Sequence, residues 1–384
     1  MTLENLLAAG RSAALDPGYV TANAREVQRE LPRRLARRLL DLQLLPHIVV
    51  SNPHVMRVYR GYFHAFETLR QLPPVTTPKD NAAFCILLRR LVDEHAPMLD
   101  SLAQGLREAK ARALVGPALQ LDAFLDSMLR SRITRRALAE QHLKVSGGGG
   151  GIVEGAAGAA DAAEFAGQRA AMLCAEVYGV APDVRVTGDT GALLPYIPSH
   201  LDYMLYEVLK NAVRATVERH APRGGPPPPA RLPPVMVRIC AGRDALSFRI
   251  SDQGGGISED NLGSVWAYGF TTCGPEPGGG GSGEGDGAGS SGGGDASPGG
   301  AEGGGGAAGG GGGGALGIVD ASEAPRQRYK LAGLGFGLPL SRQYARYFGG
   351  DLTLQNLPGY GVDAYLTLKN LRHLSSDWRE RDHV

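Results

Sequence analysis

The sequence predicts an α+β protein: an N-terminal four-helix bundle over residues 1–145 followed by a two-layer α/β sandwich over residues 161–372. Three observations predict it. Apolar residues recur with helical spacing and few glycines as far as Lys144. A Gly/Ala run, "SGGGGGIVEGAAGAA", then breaks the texture. Beyond it, helical stretches alternate with short β-type runs in mostly antiparallel order. Residues 146–160 read as a flexible linker and residues 373–384 as a tail.

The 384 residues suffice for two domains. Lys and Arg total 40 and Asp and Glu 39, a net charge of +1 that draws the chain to neither nucleic acid nor membrane. No apolar run approaches the ~20 residues of a membrane span. Cys85, Cys174, Cys240 and Cys273 are too far apart in sequence for a zinc knuckle or CxxC pair, which implies a reducing compartment. The start, "MTLENLLAAGRSAALDP", has no secretory apolar segment, and Glu4 with a single Arg makes a poor organellar transit peptide. Whether residues precede Met1 stays open.

In "LPRRLARRLLDLQLLP", Leu31, Leu35, Leu39 and Leu42 share one stripe, with Arg33, Arg34, Arg37 and Arg38 on the other side. Pro32 suits a first helical turn and Pro46 a helix end. "PHVMRVYRGYFHAFETLRQL" repeats the pattern through Val55, Val58, Tyr59, Tyr62 and Phe66. "NAAFCILLRRLVDEHAPMLDSLAQGLREAKA" and "LQLDAFLDSMLRSRITRRALAEQHLK" complete an up-and-down bundle. After the linker come a helix, "DAAEFAGQRAAMLCAEVYG", an exposed strand, "PDVRVTG", and a strongly striped helix, "SHLDYMLYEVLKNAVRATVERH". "VMVRICAGRDALSFRIS" is a hairpin. Residues from about 274 to 314 are nearly all Gly, Ala, Ser and acids, which bury no core and are expected to form a disordered insert. Order resumes with a glycine turn, a helix from about Leu338 to Phe348 stopped by Gly349-Gly350, and two strands.

Three places carry candidate chemistry. Glu207 and Asn211 stand four apart, on one helical face. Asn is a poor mid-helix residue, but its amide oxygen is a good Mg²⁺ ligand. In "DQGGGISEDN", Asp252 ends a strand, where its carboxylate can accept a bond from an exocyclic amine, and Gly254 and Gly256 let a ligand approach the backbone. In "GLGFGL", Gly333, Gly335 and Gly337 lead into a helix whose free N–H groups suit phosphate. Each is weak alone: a polar helix face, a tight turn and a glycine loop are the plain alternatives.

Together they stand in the order of the N, G1 and G2 boxes. The chain resembles the GHKL superfamily of gyrases, heat-shock chaperones, mismatch-repair ATPases and histidine kinases, whose ATP-binding domain is the Bergerat α/β sandwich. It has no Gly-Lys-Ser/Thr P-loop and neither "HRD" nor "DFG". "YEVLKNAVRATVE", "SDQGGGIS", "YGFTT" and "GLGFGLPLSRQYARYFGGDL" are similar to the mitochondrial kinases of 2-oxoacid dehydrogenase complexes. So are "ELPRRLARRLLDLQLLPHIVVSNPHV", "LAQGLREAK" and "FLDSMLRSRITRRALAEQHL" in the helical half. "LDYMLYE" and "YGFTT" favour the branched-chain 2-oxoacid dehydrogenase kinase. "SRQYARYFGGDL" and "SRI" favour the alternative, pyruvate dehydrogenase kinase.

The resemblance implies a serine kinase that inactivates the dehydrogenase by phosphorylating its α subunit. It implies a homodimer in the mitochondrial matrix, docked on the lipoyl-bearing acyltransferase core. By resemblance Glu207 is the base toward the serine, Asn211 ligates Mg²⁺, and Lys210 and Arg214 add positive charge. Asp252, Gly254 and Gly256 take the adenine of ATP, and Thr271 and Thr272 contact nucleotide at the base of a lid. Gly333, Leu334, Gly335, Phe336, Gly337 and Leu338 wrap the phosphates. A K⁺ near the carbonyls of Val265 and Phe270 is implied by the family alone. Gln253 departs from the usual Arg, its side chain expected to face away from adenine. The insert lengthens the lid at an entropic cost that grows slowly with length. Asp377-Trp378 resembles the dimer-crossing tail of the pyruvate type, nearer the last strand than usual. His142 reads as a packed structural histidine, against the phosphate acceptor of a histidine kinase. The Arg33–Arg38 face reads as solvated, against docking on an acidic lipoyl domain. The rival functions are a histidine-autophosphorylating kinase and a non-catalytic, ATP-gated adaptor.

Overall fold

The computed structural model describes residues 2–111, 121–220, 232–270 and 335–370. The expected insert at 274–314 and tail at 373–384 lie outside them. Helix α1 (Leu3–Leu15) is capped by Thr2, and α2 (Pro17–Gln43) by Asp16 with Pro17 in its first turn. Pro32 therefore lies inside a helix rather than starting one. Leu31, Leu35, Leu39 and Leu42 are all buried. At about 2 kcal/mol per buried leucine, they outweigh the roughly 3 kcal/mol of an interior proline. The arginine face is also corrected at one position. Arg38 is buried, donates to Ser127 Oγ and pairs with Asp41 at 2.7 Å.

A short α3 (His47–Val50) leads to α4 (Pro53–Arg70), capped by Asn52. Helix α5 (Pro78–Glu94) opens with a reciprocal Thr77/Asp80 capping box. Bonds from Thr77 and Thr76 hold the Asp80 carboxyl down at about 2. The segment expected to be one helix from Asn81 is broken at His95–Pro97, with α6 (Met98–Ala111) beyond. Arg132 replaces the lost helical bonds, donating to the carbonyls of His95 at 2.7 Å and Ala96 at 3.2 Å. Helix α7 (Leu121–Ser146) closes the bundle, packing against α2 and α5. His142 is wholly buried, with its ring nitrogens 2.8 Å from Asn23 Oδ1 and 2.9 Å from Asn81 Oδ1. It ties three helices together, as the structural reading expected.

The expected linker carries structure. Strand β1 (Glu154–Gly158) pairs antiparallel with β3 (Leu193–Tyr196), and α8 (Ala159–Tyr178) follows at once. Helix α1 crosses the expected domain boundary, because Leu3 and Leu6 are buried in the core shared with α8 and α9 (Pro198–His220). Gln141 fastens the crossing, donating to Leu6 O and accepting from Ile152 N.

The main sheet contains β2 (Val184–Gly188), β4 (Val235–Ala241), β5 (Ala245–Ser251), β6 (Asp351–Leu357) and β7 (Gly361–Lys369), in the order β2-β4-β5-β7-β6. Among the described residues only the β2/β4 pair is parallel. Ile239, Phe248 and Leu366 lie in cross-strand register and are buried. Helices α8, α9 and α11 (Gly337–Tyr347) cover that face, and a one-turn α10 (Glu259–Leu262) follows the glycine loop. The α+β expectation thus holds, with the helical bundle set against a covered sheet.

Burial lowers the pKa of three histidines: His142 to about 4, and His95 and His200 to about 3. Each binds its proton more readily unfolded, from its ordinary value of 6.5 downward. Stability is therefore complete above pH 6.5 and falls as the pH drops toward 4, by up to about 1.4 kcal/mol per pH unit per histidine. Urea midpoints between pH 7 and 4 test this, and His142→Gln should flatten the slope by about one proton.

Candidate functional site

Helix α9 is buried along most of its length by Leu201, Met204, Leu205, Leu209, Val213 and Val217. Its remaining stripe, Glu207, Asn211, Ala215 and Arg219 at four-residue intervals, lines a cleft of about 580 Å³. Opposite stand Asp252, Gly254, Gly256, Ile257 and Ser258 from the loop after β5. Val265 and Phe270 follow α10, Gly335 leads into α11, whose first turn supplies Gly337, Leu338 and Pro339, and Leu354, Val362 and Ala364 come from the sheet.

The glycines allow this closeness. A β-carbon on Gly254 would meet Ala215, one on Gly337 would run into Glu207 Oε2, and one on Gly361 would strike the Asp252 carbonyl. Gly256 and Gly335 have φ of +82° and +71°, a region costly for other residues. Asn356 fixes the G1 loop, accepting from Ile257 N and donating to Ile257 O, both at 2.8 Å.

Asp252 is buried and accepts from Gly254 N at 2.8 Å and Val362 N at 3.2 Å. Both bonds go to Oδ1, so among the described residues Oδ2 is left to accept from a ligand. Burial raises its pKa, the two backbone bonds only partly offsetting the loss of water. Glu207 is buried at the other end of the cleft. Lys210 Nζ reaches its two oxygens at 2.6 and 2.7 Å. Lys210 is thus turned to Glu207 and is not itself among the residues that line the cleft. Asn211 is exposed and faces the cleft; Arg214 lines it half-buried while donating to Glu218 at 2.7 Å.

Phe336 departs from expectation. It is buried among bundle side chains, its ring 5.3 Å from that of Tyr268, so only its backbone remains near the cleft. Tyr268 Oη and Gln343 Nε2 both donate to Asp126 Oδ1 on α7. Gly269 N donates to Gly335 O at 3.2 Å, joining the chain on either side of residues 271–334. Thr271, Thr272, Gly333 and Leu334 lie outside the described residues. Sequence reading missed Ala215, Arg219 and Gly361; the four-residue spacing from Asn211 was the available signal for the first two. A separate cavity of about 60 Å³ lies inside the bundle, where Tyr62, His95, Arg132, Arg135 and Arg136 meet leucines.

The cleft has a buried acceptor at one end and a carboxylate with glycine-opened backbone at the other, which suits a purine nucleotide and its phosphates. The family described as "Mitochondrial branched-chain alpha-ketoacid dehydrogenase kinase" matches residues 1–153, and "Histidine kinase-, DNA gyrase B-, and HSP90-like ATPase" matches residues 196–292. A mitochondrial pyruvate dehydrogenase (acetyl-transferring) kinase of Arabidopsis thaliana is 30% identical over 354 residues, 91% of this chain and 85% of that protein. The Drosophila melanogaster kinase of the same name is 30% identical over 394 residues, 97% and 81% of the two chains. Isozyme 3 of Homo sapiens is 30% identical over 364 residues, 90% and 77%.

Asp252→Asn should put an amide donor where an acceptor is needed, weakening ADP binding roughly 10- to 100-fold by calorimetry. The same change should raise the thermal midpoint of the ligand-free protein. The raised folded pKa means stability is lost as pH rises through it, so the gain should be present at pH 7 and vanish below 3.8.

Proposed function

The chain belongs to the mitochondrial protein kinases of 2-oxoacid dehydrogenase complexes, and we propose that it phosphorylates a serine of the α subunit of such a complex, inactivating it. It is an ATP-dependent protein serine kinase with a GHKL nucleotide domain. The observation that carries the proposal is the single cleft joining Glu207, Asn211, Asp252 and the glycine turn at Gly335 and Gly337.

Glu207 takes the hydroxyl proton as the serine oxygen bonds to the γ-phosphorus, while the bond to the β–γ bridging oxygen breaks and ADP leaves. Lys210 fixes both oxygens of that carboxylate and balances its buried charge. The pair must loosen, or share its proton acceptor, for the serine to enter. Asp252 reads the adenine amine. Asn211 is the group that would ligate Mg²⁺, which neutralises charge on the phosphates when bound. Among the described residues no cluster of three or more His, Cys, Asp or Glu could cage a metal. The ion would therefore rest mainly on nucleotide and water, as Mg²⁺ usually does. Val265 and Phe270 both line the cleft, which is consistent with a K⁺ at their carbonyls.

The named relatives support the pyruvate dehydrogenase complex as the target and weigh against the branched-chain reading taken from "LDYMLYE" and "YGFTT". A homodimer docked on the lipoyl-bearing acyltransferase core belongs to the same proposal. The buried, doubly bonded His142 argues against a histidine phosphate acceptor, and the intact Glu207 and Asn211 argue against an inert adaptor.

Glu207→Gln should lower kcat roughly 10²- to 10⁴-fold, with ADP affinity changed less than about threefold, as measured by labelled-ATP assay and calorimetry. Offered side by side, the pyruvate dehydrogenase α subunit should be phosphorylated faster than its branched-chain counterpart. A reversed ratio of initial rates would return the target to the branched-chain complex.

A further inference from the structure

Arg219 is the member of the α9 stripe to which the reaction above gives no task. It lies two turns beyond Asn211 and, at 1.5 Å per residue, about 18 Å along the axis from Glu207. It is thus at the Asp252 end of the cleft, far from the transferred phosphate. Its side chain is exposed, lines the cleft, and makes no hydrogen bond or ion pair with the described residues.

Its position is nonetheless defined. Gly255 has φ +89°, and a β-carbon there would stand 3.4 Å from Arg219 Cδ, 3.5 Å from Nε and 3.7 Å from Cζ. The guanidinium group therefore rests against a residue that has no side chain. Gly255 is itself held, donating to Tyr360 O and accepting from Gly359 N, both at 2.9 Å. His220, the next residue on α9, is fixed by a 3.1 Å contact between Nε2 and Gln253 O. The loop that carries the base-reading Asp252 is thus the same loop that seats Arg219. A cation in the last turn of a helix also complements the helix dipole, and that alone would be a purely structural use.

We propose that Arg219 is a nucleotide-binding residue, its planar cation closing the base end of the cleft against the purine ring. This rests on the cleft being the ATP site. A guanidinium plane matches an aromatic face in a way that an ammonium does not. The contact involves the base alone, so it holds ATP and ADP equally. Such uniform binding lowers KM without raising kcat.

The test is a set of variants of the full chain with three ligands: ATP, ADP and inorganic tripolyphosphate, which has no base. Arg219→Ala should raise the KM for ATP and the Kd for ADP by the same factor, roughly three- to tenfold. The loss should fall in KM rather than kcat, and the tripolyphosphate Kd should stay within twofold. Arg219→Lys should restore the thermal midpoint but only part of the nucleotide affinity. Full recovery by lysine, an equal loss for tripolyphosphate, or unchanged ADP binding in Arg219→Ala would each overturn the assignment while leaving the kinase reading intact. Failure of the unmodified protein to bind ADP would instead remove the reading on which it depends.

Discussion

The close approach of two glycine-bearing segments to helix α9, and of a third to the Asp252 end of β5, is the constraint on which the site depends. Gly254 abuts Ala215, Gly337 abuts Glu207, and Gly361 abuts the Asp252 carbonyl. A side chain at Gly254 or Gly337 would push its segment off α9, and one at Gly361 would push β7 off the Asp252 end of β5. Helix α9 cannot yield, since its other face is buried in the sheet-backed core. Glycine costs conformational entropy in each loop, and the buried apolar face of α9 supplies the opposing free energy.

The two carboxylates of the cleft live in opposite surroundings. Glu207 lies against the buried Lys210 ammonium, 2.6 Å away, whereas Asp252 is met by two backbone N–H groups. A buried ion pair with one partner removed is costly, so Lys210 and Glu207 act as a unit. Asp252 carries a desolvation cost that its two backbone bonds only partly offset. On the proposed reading, a ligand amine at this carboxylate would relieve that cost and so favour the base. Sites that bind well often keep such local destabilisation.

The helical bundle is part of this arrangement rather than a separate body. Asp126 on α7 accepts from Tyr268 and Gln343, which flank the cleft's glycine turn, and Phe336 fills a slot in the bundle core. Helix α7 also presents Arg132, Arg135 and Arg136 to the bundle cavity. Thr134 and Tyr347 meet at 2.7 Å on the same junction. The G2 turn thus owes its position to both domains.

The sequence by itself determined the α+β class, the long helices and the β4–β5 hairpin, and it nominated Glu207, Asn211 and Asp252, which line one cleft. These rest on periodicities of 3.6 and 2 and on glycine spacing, which are local. It could not determine that Pro32 sits within a helix, that Arg38 is buried or that α1 joins the second core. Each depends on what packs against the segment from far along the chain. Nor could it tell that Phe336 points into the bundle while its glycine neighbours face the cleft, or that Lys210 spends its charge on Glu207. Side-chain direction within a short motif is set by the partner surface, and only the assembled tertiary structure supplies that surface.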